Sequence, residues 1–340
     1  MRAIGFNKPL PSDDPQALQD IDLPRPQATG HDLLVEVRAV SVNPVDTKVR
    51  RGRRVPEPGE WIVAGYDAAG VVVEVGPEVT RFRPGDEVFY AGAIGRQGTN
   101  AEYHLVDERI VGHKPASLGF ADAAAVPLTA ITAWEVLFDR LDVRKHVPGV
   151  APALLIVGAA GGVGSIAIQL ARQLTDLSVI ATASRPESAD WVRDLGAHHV
   201  VDHTADLAGQ VAGVGIDAPG FVFLTTHAAQ YLPIAAALIA PQGRIAVIDD
   251  PETLDVMPLK GKSVSLHWEM MFTRSSLQTA DMGEQGKLLD EVARLIDAGT
   301  LRTTVGEHFG AINAANLRRA HALLESGKAR GKIVLEGFGD

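Results

Sequence analysis

A strand, a glycine-rich turn and an amphipathic helix follow one another between residues 153 and 174, and this segment constrains the fold more than any other. Ala153–Val157 is an apolar run, residues 158–162 are rich in glycine, and apolar residues then recur at helical spacing over 163–174. The turn carries an A-x-G-x-x-G spacing at Ala159, Gly161 and Gly164. This is a relaxed form of the fingerprint that opens a parallel α/β sheet and binds a dinucleotide.

The residue types in this turn fit the binding of a diphosphate. Gly161 lets the backbone approach a phosphate without a Cβ in the way, and Gly164 lets the helix pack close to the strand. The helix N-terminus, which includes Gly162 and Val163, offers unpaired N–H groups and a partial positive charge. The predicted cofactor-binding residues of the turn are therefore Ala159, Gly161, Gly162, Val163 and Gly164.

The end of the next predicted strand favours NADPH over NADH. Proteins that bind NAD place an acidic residue about 20 positions beyond the glycines, where it accepts bonds from the ribose 2′-hydroxyl. Here the strand 178–183 is followed by Ser184, Arg185 and Pro186. A carboxylate would repel a 2′-phosphate, whereas a guanidinium can hold it with several donors. The alternative is that Arg185 only precedes the helix opened by Pro186 and points to solvent.

The chain divides into a β-rich start and an alternating remainder. Short β-rich runs between glycine and proline turns predict a β domain, at 33–40, 68–75 and 87–90. Beyond residue 153, strands are predicted at 153–157, 178–183, 198–202, 221–224 and 244–248, and helices at 163–174 and 187–195. A helix over 288–298 and a strand over 332–335 are predicted near the end. Thr225 follows one of the parallel strands and Ile248 ends another, at the edge where open α/β sheets bind ligands, and both are predicted to face the cofactor.

Composition excludes several classes of function. The formal net charge is −10, so neither nucleic acid nor an anionic membrane is an expected partner. The basic run at 50–54 is the local exception, either a solvated loop or a positive rim that attracts an anion. The start of the chain has no signal-peptide pattern, and no uninterrupted apolar run approaches the roughly 20 residues of a membrane helix. Together with the absence of cysteine, this makes the cytoplasm the expected location.

No metal site is predicted. Without cysteine, thiolate ligation of zinc is impossible, and the H-E-x-x-H pattern is absent. His199 and His203 are four positions apart, but residues 200–201 between them belong to a predicted strand, in which four residues span about 13 Å. This distance is too long for both side chains to bind one ion.

Several further segments give the chain a specific resemblance to a known family. They are residues 41–48, 65–71, 82–88 and 331–335, which read SVNPVDTK, GYDAAGV, FRPGDEV and GKIVL. With the glycine turn, they make the chain resemble the medium-chain dehydrogenase/reductase superfamily on its quinone oxidoreductase side. The similarity is greatest to the bacterial group labelled zinc-type alcohol dehydrogenase-like. The resemblance implies a GroES-like β-barrel domain (residues 1–127 and 268–340) and a doubly wound Rossmann domain (128–267), an α/β fold.

The resemblance also implies where the site residues lie, and that zinc is absent. Where zinc-containing members have a cysteine ligand this chain has Asp46, where they have Gly-His-Glu it has residues 65–67, and the four-cysteine lobe has no counterpart in 91–103. Asn43 and Thr129 are expected near the nicotinamide, and Asp46 and Lys48 near the substrate pocket. Lys332 is expected either to reach the cofactor or to be an ordinary surface lysine.

These expectations define a leading function and its alternatives. The leading hypothesis is an NADPH-dependent, zinc-independent reductase of quinones or conjugated enones, with Tyr66 as proton donor or hydrogen-bond partner, or else as a pocket wall. The alternatives are an NADP-dependent alcohol or aldehyde dehydrogenase and an NADPH-binding protein with little turnover. Relatives commonly form homodimers, and residues 263–268 form a plausible edge strand for such an interface.

Overall fold

The strands of the computed structural model, which describes residues 1–339, fall into three sheets. In chain order they are β1 (Arg2–Phe6), β2 (Gln19–Asp22), β3 (Asp32–Val42), β4 (Ile62–Val63), β5 (Ala68–Val75), β6 (Glu87–Tyr90), β7 (Tyr103–Asp107), β8 (Val111–His113), β9 (Ala153–Val157), β10 (Ser178–Thr182), β11 (His199–Val201), β12 (Phe221–Leu224), β13 (Arg244–Val247), β14 (Ser265–Trp268), β15 (Val305–His308) and β16 (Lys332–Glu336).

The helices are mostly short in the first part of the chain and longer in the second. They are α1 (Pro44–Lys48), α2 (Phe120–Ala124), α3 (Pro127–Trp134), α4 (Gly162–Leu174), α5 (Pro186–Asp194), α6 (Leu207–Gly213), α7 (Ala228–Leu238), α8 (Thr273–Leu277), α9 (Glu284–Asp297) and α10 (Ala314–Glu325). Wider helical turns extend α1 over Val49–Arg53 and α3 over Glu135–Arg140, and tighter ones occur at Glu108–Ile110 and Met257–Lys262.

The first unit is built from both ends of the chain, from Met1–Ile131 and from Phe272 onward. Its larger sheet has the order β15-β16-β3-β5-β6-β8, with β7 also paired to β3, and its smaller sheet has the order β2-β1-β4. β3 lies between β16 and β5, and both pairings are antiparallel. This arrangement brings the C-terminal strand beside a strand that begins 300 residues earlier in the chain.

The second unit spans Thr132–Met271, so both unit boundaries lie four residues beyond the predicted ones. Its six-stranded parallel sheet has the order β11-β10-β9-β12-β13-β14. The strands β9 and β12 are buried along their whole length, as expected for strands with helices on both faces. The order reverses at β9, which makes its carboxyl end the expected place for a ligand. These sheets confirm the predicted α/β class.

The helix α4 packs closely on its strand because Gly164 lacks a side chain. A Cβ at Gly164 would lie 2.5 Å from the Cα and carbonyl oxygen of Ala159. The apolar face behind it, Ile166, Ala167, Leu170 and Ala171, is buried. Burying each larger aliphatic side chain contributes roughly 1.5–3 kcal/mol, so this face fixes α4 against the sheet.

Two segments differ from expectation. The stretch Phe120–Arg140 is long and apolar enough to cross a membrane by length and composition, but 83% of an 18-residue apolar segment within it is buried, as in a core helix. The basic run 50–54 is only partly a solvated loop. Its first residue, Arg50, is fully buried and bonds to His321 and Glu325 on α10. The long-range partners explain the difference, since nothing next to Arg50 in the sequence indicates them.

The edge strand predicted for 263–268 forms as β14, two residues shorter at its start. It pairs in parallel with β13 and is the last strand of its sheet. Trp268 at its end is half exposed. The homodimer implied by the resemblance stays a prediction.

Candidate functional site

The glycine turn after β9 forms an open cradle at the start of a 13-residue helix. Gly158 has a φ of 76°, a left-handed conformation that glycine adopts without strain. A Cβ at Gly161 would meet only the carbonyl oxygen of Gly158, at 3.4 Å. The first backbone bond into α4 runs from the Ser165 N–H to Gly161. The preceding amides, on Gly162, Val163 and Gly164, are therefore left without a helical acceptor.

This cradle fits a dinucleotide diphosphate. The turn residues 160–163 are half-buried and Ala159 is fully buried beneath them. The unpaired amides, the positive end of the helix dipole and the open space above Gly161 would together hold the phosphates. When bound, a nicotinamide cofactor would supply the hydride; the chain itself supplies this anion-binding surface.

Residues at the neighbouring strand ends shape the turn and present a cation. The hydroxyl of Thr225, after β12, donates to the carbonyl oxygen of Val157 at 2.8 Å. The hydroxyl of Thr182, at the end of β10, accepts from the Gly158 N–H at 3.1 Å. Ser184 and Arg185 are exposed beyond β10, and an Arg185 N–H donates to the Ser188 hydroxyl at 3.3 Å. No acid stands in their place.

Ile248 follows β13 and is half-buried. Its backbone N–H lies 3.4 Å from the carbonyl oxygen of Leu224. The predicted positions that follow β9, β10, β12 and β13 are thus all at the carboxyl ends of parallel strands in one sheet. Their contact with a cofactor stays a prediction.

A buried ion pair between Lys332 and Asp67 lies at the end of β3 in the first unit. Lys332 is 3% exposed, and its ammonium donates to the carbonyl oxygen of Val42 at 3.0 Å, to the amide oxygen of Asn43 and to the carboxylate of Asp67 at 3.0 Å. The Asn43 amide N–H₂ also donates to Asp67, at 2.8 Å. The second Asp67 oxygen accepts from the Leu128 N–H at 2.8 Å, which ties the start of α3 to the cluster.

The sheet order explains why these three side chains meet. In β16, Ile333 pairs with Val42 at the end of β3, which sets the preceding residue, Lys332, beside Asn43. On the other side of β3, Ala68 pairs with Val40, and Asp67 immediately precedes Ala68. Burial raises the pKa of Asp67, and the Lys332 ammonium opposes that rise. All three Lys332 hydrogens therefore have acceptors inside this unit, so it is not an ordinary surface lysine.

Asp46 lies in the first turn of α1, three residues after Asn43. It is 1% exposed, and one of its carboxyl oxygens accepts from the Asn43 N–H at 2.6 Å. The other oxygen, Oδ1, is buried without a hydrogen-bond partner in residues 1–339. Burial raises the pKa of Asp46 to about 7, while the Asn43 amide and the Lys332 ammonium act in the opposite direction.

The remaining predicted site residues have distinct surroundings. Tyr66 is buried, and its ring packs edge-to-face on Phe272 with centroids 5.3 Å apart. Burial raises the pKa of Tyr66 well above its usual value, and the nearby Asp46 carboxyl raises it further. The Thr129 hydroxyl donates to the carbonyl oxygen of Val126 at 3.1 Å. Lys48 ends α1 and is half-buried.

The structure brings Asn43, Asp46, Tyr66 and Lys332 into one region of the first unit. Sequence reasoning missed Asp67 as a site residue, although it directly follows Tyr66. It also missed Gly158 and Thr182, which shape the turn. For Gly158 a signal existed: a glycine directly after a buried strand indicates a tight turn. For Asp67 and Thr182 the partners come from distant strands and leave no local signal.

The chain's residues do not fit a zinc ion. No group of three or more His, Cys, Asp or Glu side chains that could hold a metal occurs in residues 1–339. Asp67 is already bound by an ammonium and two N–H donors. A second cation at this carboxylate would face the charge of Lys332 at close range.

Comparisons with known proteins identify the family of this chain. Residues 29–131 match the alcohol dehydrogenase GroES-like domain, and residues 195–335 match the family described as zinc-binding dehydrogenase. A zinc-type alcohol dehydrogenase-like protein of Staphylococcus aureus is 39% identical over 98% of this chain and 99% of its own length. A human mitochondrial NAD(P)H oxidoreductase is 30% identical over 90% of this chain and 81% of its own length.

One solved structure is especially similar. The crystal structure of a protein from Rhizobium etli CFN 42, described as a putative zinc-dependent alcohol dehydrogenase, is 64% identical, with a TM-score of 0.98 over 100% of this chain and 99% of that one. The resemblance in the sequence is thus confirmed over the whole length of the chain. This protein belongs to the medium-chain dehydrogenase/reductase superfamily of NAD(P)-dependent oxidoreductases, among the zinc-type alcohol dehydrogenase-like proteins.

Proposed function

We propose that this oxidoreductase uses NADPH to reduce quinones or conjugated enones without a metal. The observation that carries the cofactor choice is the exposed pair Ser184 and Arg185 at the end of β10, where NAD-binding proteins have an acid. A guanidinium and a hydroxyl can both donate to a 2′-phosphate. The human relative is named an NAD(P)H oxidoreductase, which is compatible with either cofactor.

The polar cluster of the first unit, formed by Asn43, Asp46, Asp67 and Lys332, supports quinones or enones as the substrate class. A plain carbonyl needs strong polarisation of its oxygen during hydride transfer, which zinc supplies in metal-dependent enzymes. The residues here do not fit zinc. A quinone or enone spreads the incoming negative charge over its conjugated system, so a positioned hydrogen-bond donor and a proton are sufficient.

The cofactor choice predicts a selective effect of Arg185→Ala. Losing charge-assisted hydrogen bonds worth about 1.5–3 kcal/mol weakens NADPH binding by roughly tenfold to a hundredfold. NADH has no 2′-phosphate, so its dissociation constant should change less than about threefold. Calorimetry with both cofactors measures this difference. The matched control is Arg193→Ala; Arg193 is an exposed arginine on α5, the helix that Arg185 precedes, and it pairs with Asp190. Equal weakening of NADPH and NADH in Arg185→Ala would reject the assignment.

The substrate class predicts NADPH oxidation with simple quinones and with α,β-unsaturated ketones, in protein treated with a chelator. The measurement is the fall in NADPH absorbance with each acceptor, and saturated ketones and aldehydes of the same size are the controls. We expect turnover with the conjugated acceptors and at least tenfold lower kcat/KM with the saturated ones. Turnover of saturated alcohols with NADP⁺ would instead indicate an alcohol dehydrogenase. Tight NADPH binding with no turnover would indicate a binding protein.

A further inference from the structure

Asp46 combines two properties that rarely occur together in a buried carboxyl group. One oxygen is fixed by the Asn43 N–H, and the other, Oδ1, is buried without a hydrogen bond of ordinary geometry in residues 1–339, although the Gly65 N–H also acts on this carboxyl group. Buried polar atoms nearly always have a partner, so an exception needs an explanation. An ionised carboxylate with a bare buried oxygen would be costly, whereas a neutral carboxylic acid carries its proton on that oxygen.

We infer that Asp46 is the proton donor of the reaction, with Oδ1–H facing the substrate. This inference rests on the proposed function, because it assumes that the first unit's polar cluster meets a substrate that has accepted a hydride. The unpartnered oxygen is then a donor whose acceptor arrives with the substrate. Asp46 would be a catalytic residue, and Asn43 and Lys332 would position it.

The groups around Asp46 are consistent with a neutral acid. Those acting on it are the Lys332 ammonium, the Asp67 carboxylate, and the backbone amides of Asn43 and Gly65; the Tyr66 ring is also near. The ammonium favours ionisation, but Lys332 and Asp67 already form an ion pair with each other. Burial has the largest effect, and it keeps the proton on Asp46 up to a pH of about 7.

Tyr66 is a poorer proton donor than Asp46. Its phenol starts from a pKa near 10, and burial and the Asp46 carboxyl both raise that pKa. Proton donation is efficient when the pKa of the acid lies near the working pH. Tyr66 would therefore act as a hydrogen-bond partner and as a pocket wall.

The proposed step balances for both acceptor classes. When bound, the nicotinamide cofactor would supply a hydride to the conjugated system of the acceptor and would itself be oxidised. The electron pair displaced from that system forms a bond to the proton of Asp46, and the O–H bond of Asp46 breaks. A quinone becomes a hydroquinone and an enone becomes a saturated ketone. Asp46 is left as a carboxylate, and a proton from solvent restores the acid.

The kinetic test compares Asp46→Asn with Tyr66→Phe. Asn keeps an oxygen for the Asn43 N–H but has no transferable proton, so kcat should fall by about a hundredfold to ten-thousandfold. In the wild type, kcat/KM should fall as the pH rises through about 7, because the acid is lost; this fall should disappear in Asp46→Asn and persist in Tyr66→Phe. The control is Glu108→Gln. Glu108 is another buried carboxyl group, and it accepts hydrogen bonds from the N–H groups of Thr80 and Arg81. This substitution should leave both kcat and the pH profile unchanged.

A second readout needs no cofactor. Unfolded aspartate has a pKa of about 3.9, so between pH 4 and 7 the folded protein retains a proton that the unfolded chain has released. The wild type should therefore lose stability relative to Asp46→Asn as the pH rises through this window. Denaturant unfolding of both proteins from pH 4 to 8 measures the difference. If Asp46→Asn does not fold, Asp46→Ser, which also keeps an oxygen near Asn43, replaces it in both experiments.

The outcomes separate this inference from the proposed function. If the wild type turns over and Asp46→Asn keeps full activity with an unchanged pH profile, Asp46 is rejected as the donor and the proposed function stands. If the fall in kcat/KM with rising pH disappears in Tyr66→Phe and persists in Asp46→Asn, Tyr66 is the proton donor. Parallel stability curves would show that Asp46 is ionised when folded, which also rejects the inference. A wild type inactive with every acceptor would reject both the function and the donor.

Discussion

Lys332→Met is expected to lower the free energy of unfolding by about 3–5 kcal/mol, because it leaves a buried carboxylate without its cation. Met fills most of the volume of the lysine stem, so lost packing contributes little. Asp67 would keep its bonds from Asn43 and Leu128, but its charge would be uncompensated. Two acceptors, the Val42 carbonyl oxygen and the Asn43 amide oxygen, would also lose a donor. Denaturant unfolding at pH 7 measures the loss.

Two controls separate the ion pair from a general effect of losing a lysine. Lys287→Met removes an exposed lysine that pairs with Glu284, and it should change stability by less than about 0.5 kcal/mol. The double variant Lys332→Met/Asp67→Asn removes both charges, and it should recover part of the loss. The loss in Lys332→Met should also shrink at acidic pH, where Asp67 can take up a proton. A loss below about 1 kcal/mol at pH 7, or no recovery in the double variant, would contradict this account.

This buried pair also marks the limit of prediction from the sequence. The residues 153–185 contain a strand, a turn, a helix and the next strand, so the dinucleotide-binding half could be predicted from local patterns alone. The atoms that bond to Lys332 belong to residues 265 to 290 positions away. Only the pairing of β16 with β3, and of β3 with β5, brings them together. The resemblance predicts Lys332 and Asn43 as site residues, but it does not predict the hydrogen bonds that they share with Asp67.

Arg50 is a second residue whose buried surroundings could not be predicted from the sequence. In the sequence it is the first of four arginines in five positions, which is typical of a solvated loop. Its guanidinium is nevertheless buried against His321 and Glu325, more than 270 residues away. Burial beside Arg50 lowers the pKa of His321 to about 3, so this histidine is neutral and can accept the arginine N–H. A charge pattern cannot show whether a distant partner exists.

Gly161→Ala and Gly164→Ala should affect the cofactor turn in different ways. Gly164→Ala places a Cβ 2.5 Å from backbone atoms of Ala159, a contact that the structure cannot keep. Alanine would gain up to about 1 kcal/mol from helix propensity. Strain from overpacking is typically about 1–3 kcal/mol and should lie at the upper end here, because the contacted atoms are backbone. A net loss of about 2 kcal/mol follows, together with a displaced helix N-terminus and weak cofactor binding.

Gly161→Ala should instead leave the fold intact and lose the ligand. Gly161 has a φ of −73°, which any residue adopts, and its Cβ would meet one atom at 3.4 Å. Alanine is a poorer N-cap than glycine, so stability should fall, but by no more than about 1 kcal/mol. The added methyl group would occupy the space above the unpaired amides, so NADPH and NADH should both bind at least tenfold more weakly. Because the diphosphate is common to both cofactors, this loss should not discriminate between them, unlike that in Arg185→Ala. Thermal unfolding of the two apo variants, followed by calorimetry with each cofactor, would test the distinction, and wild-type affinity in Gly161→Ala would show that the diphosphate binds elsewhere.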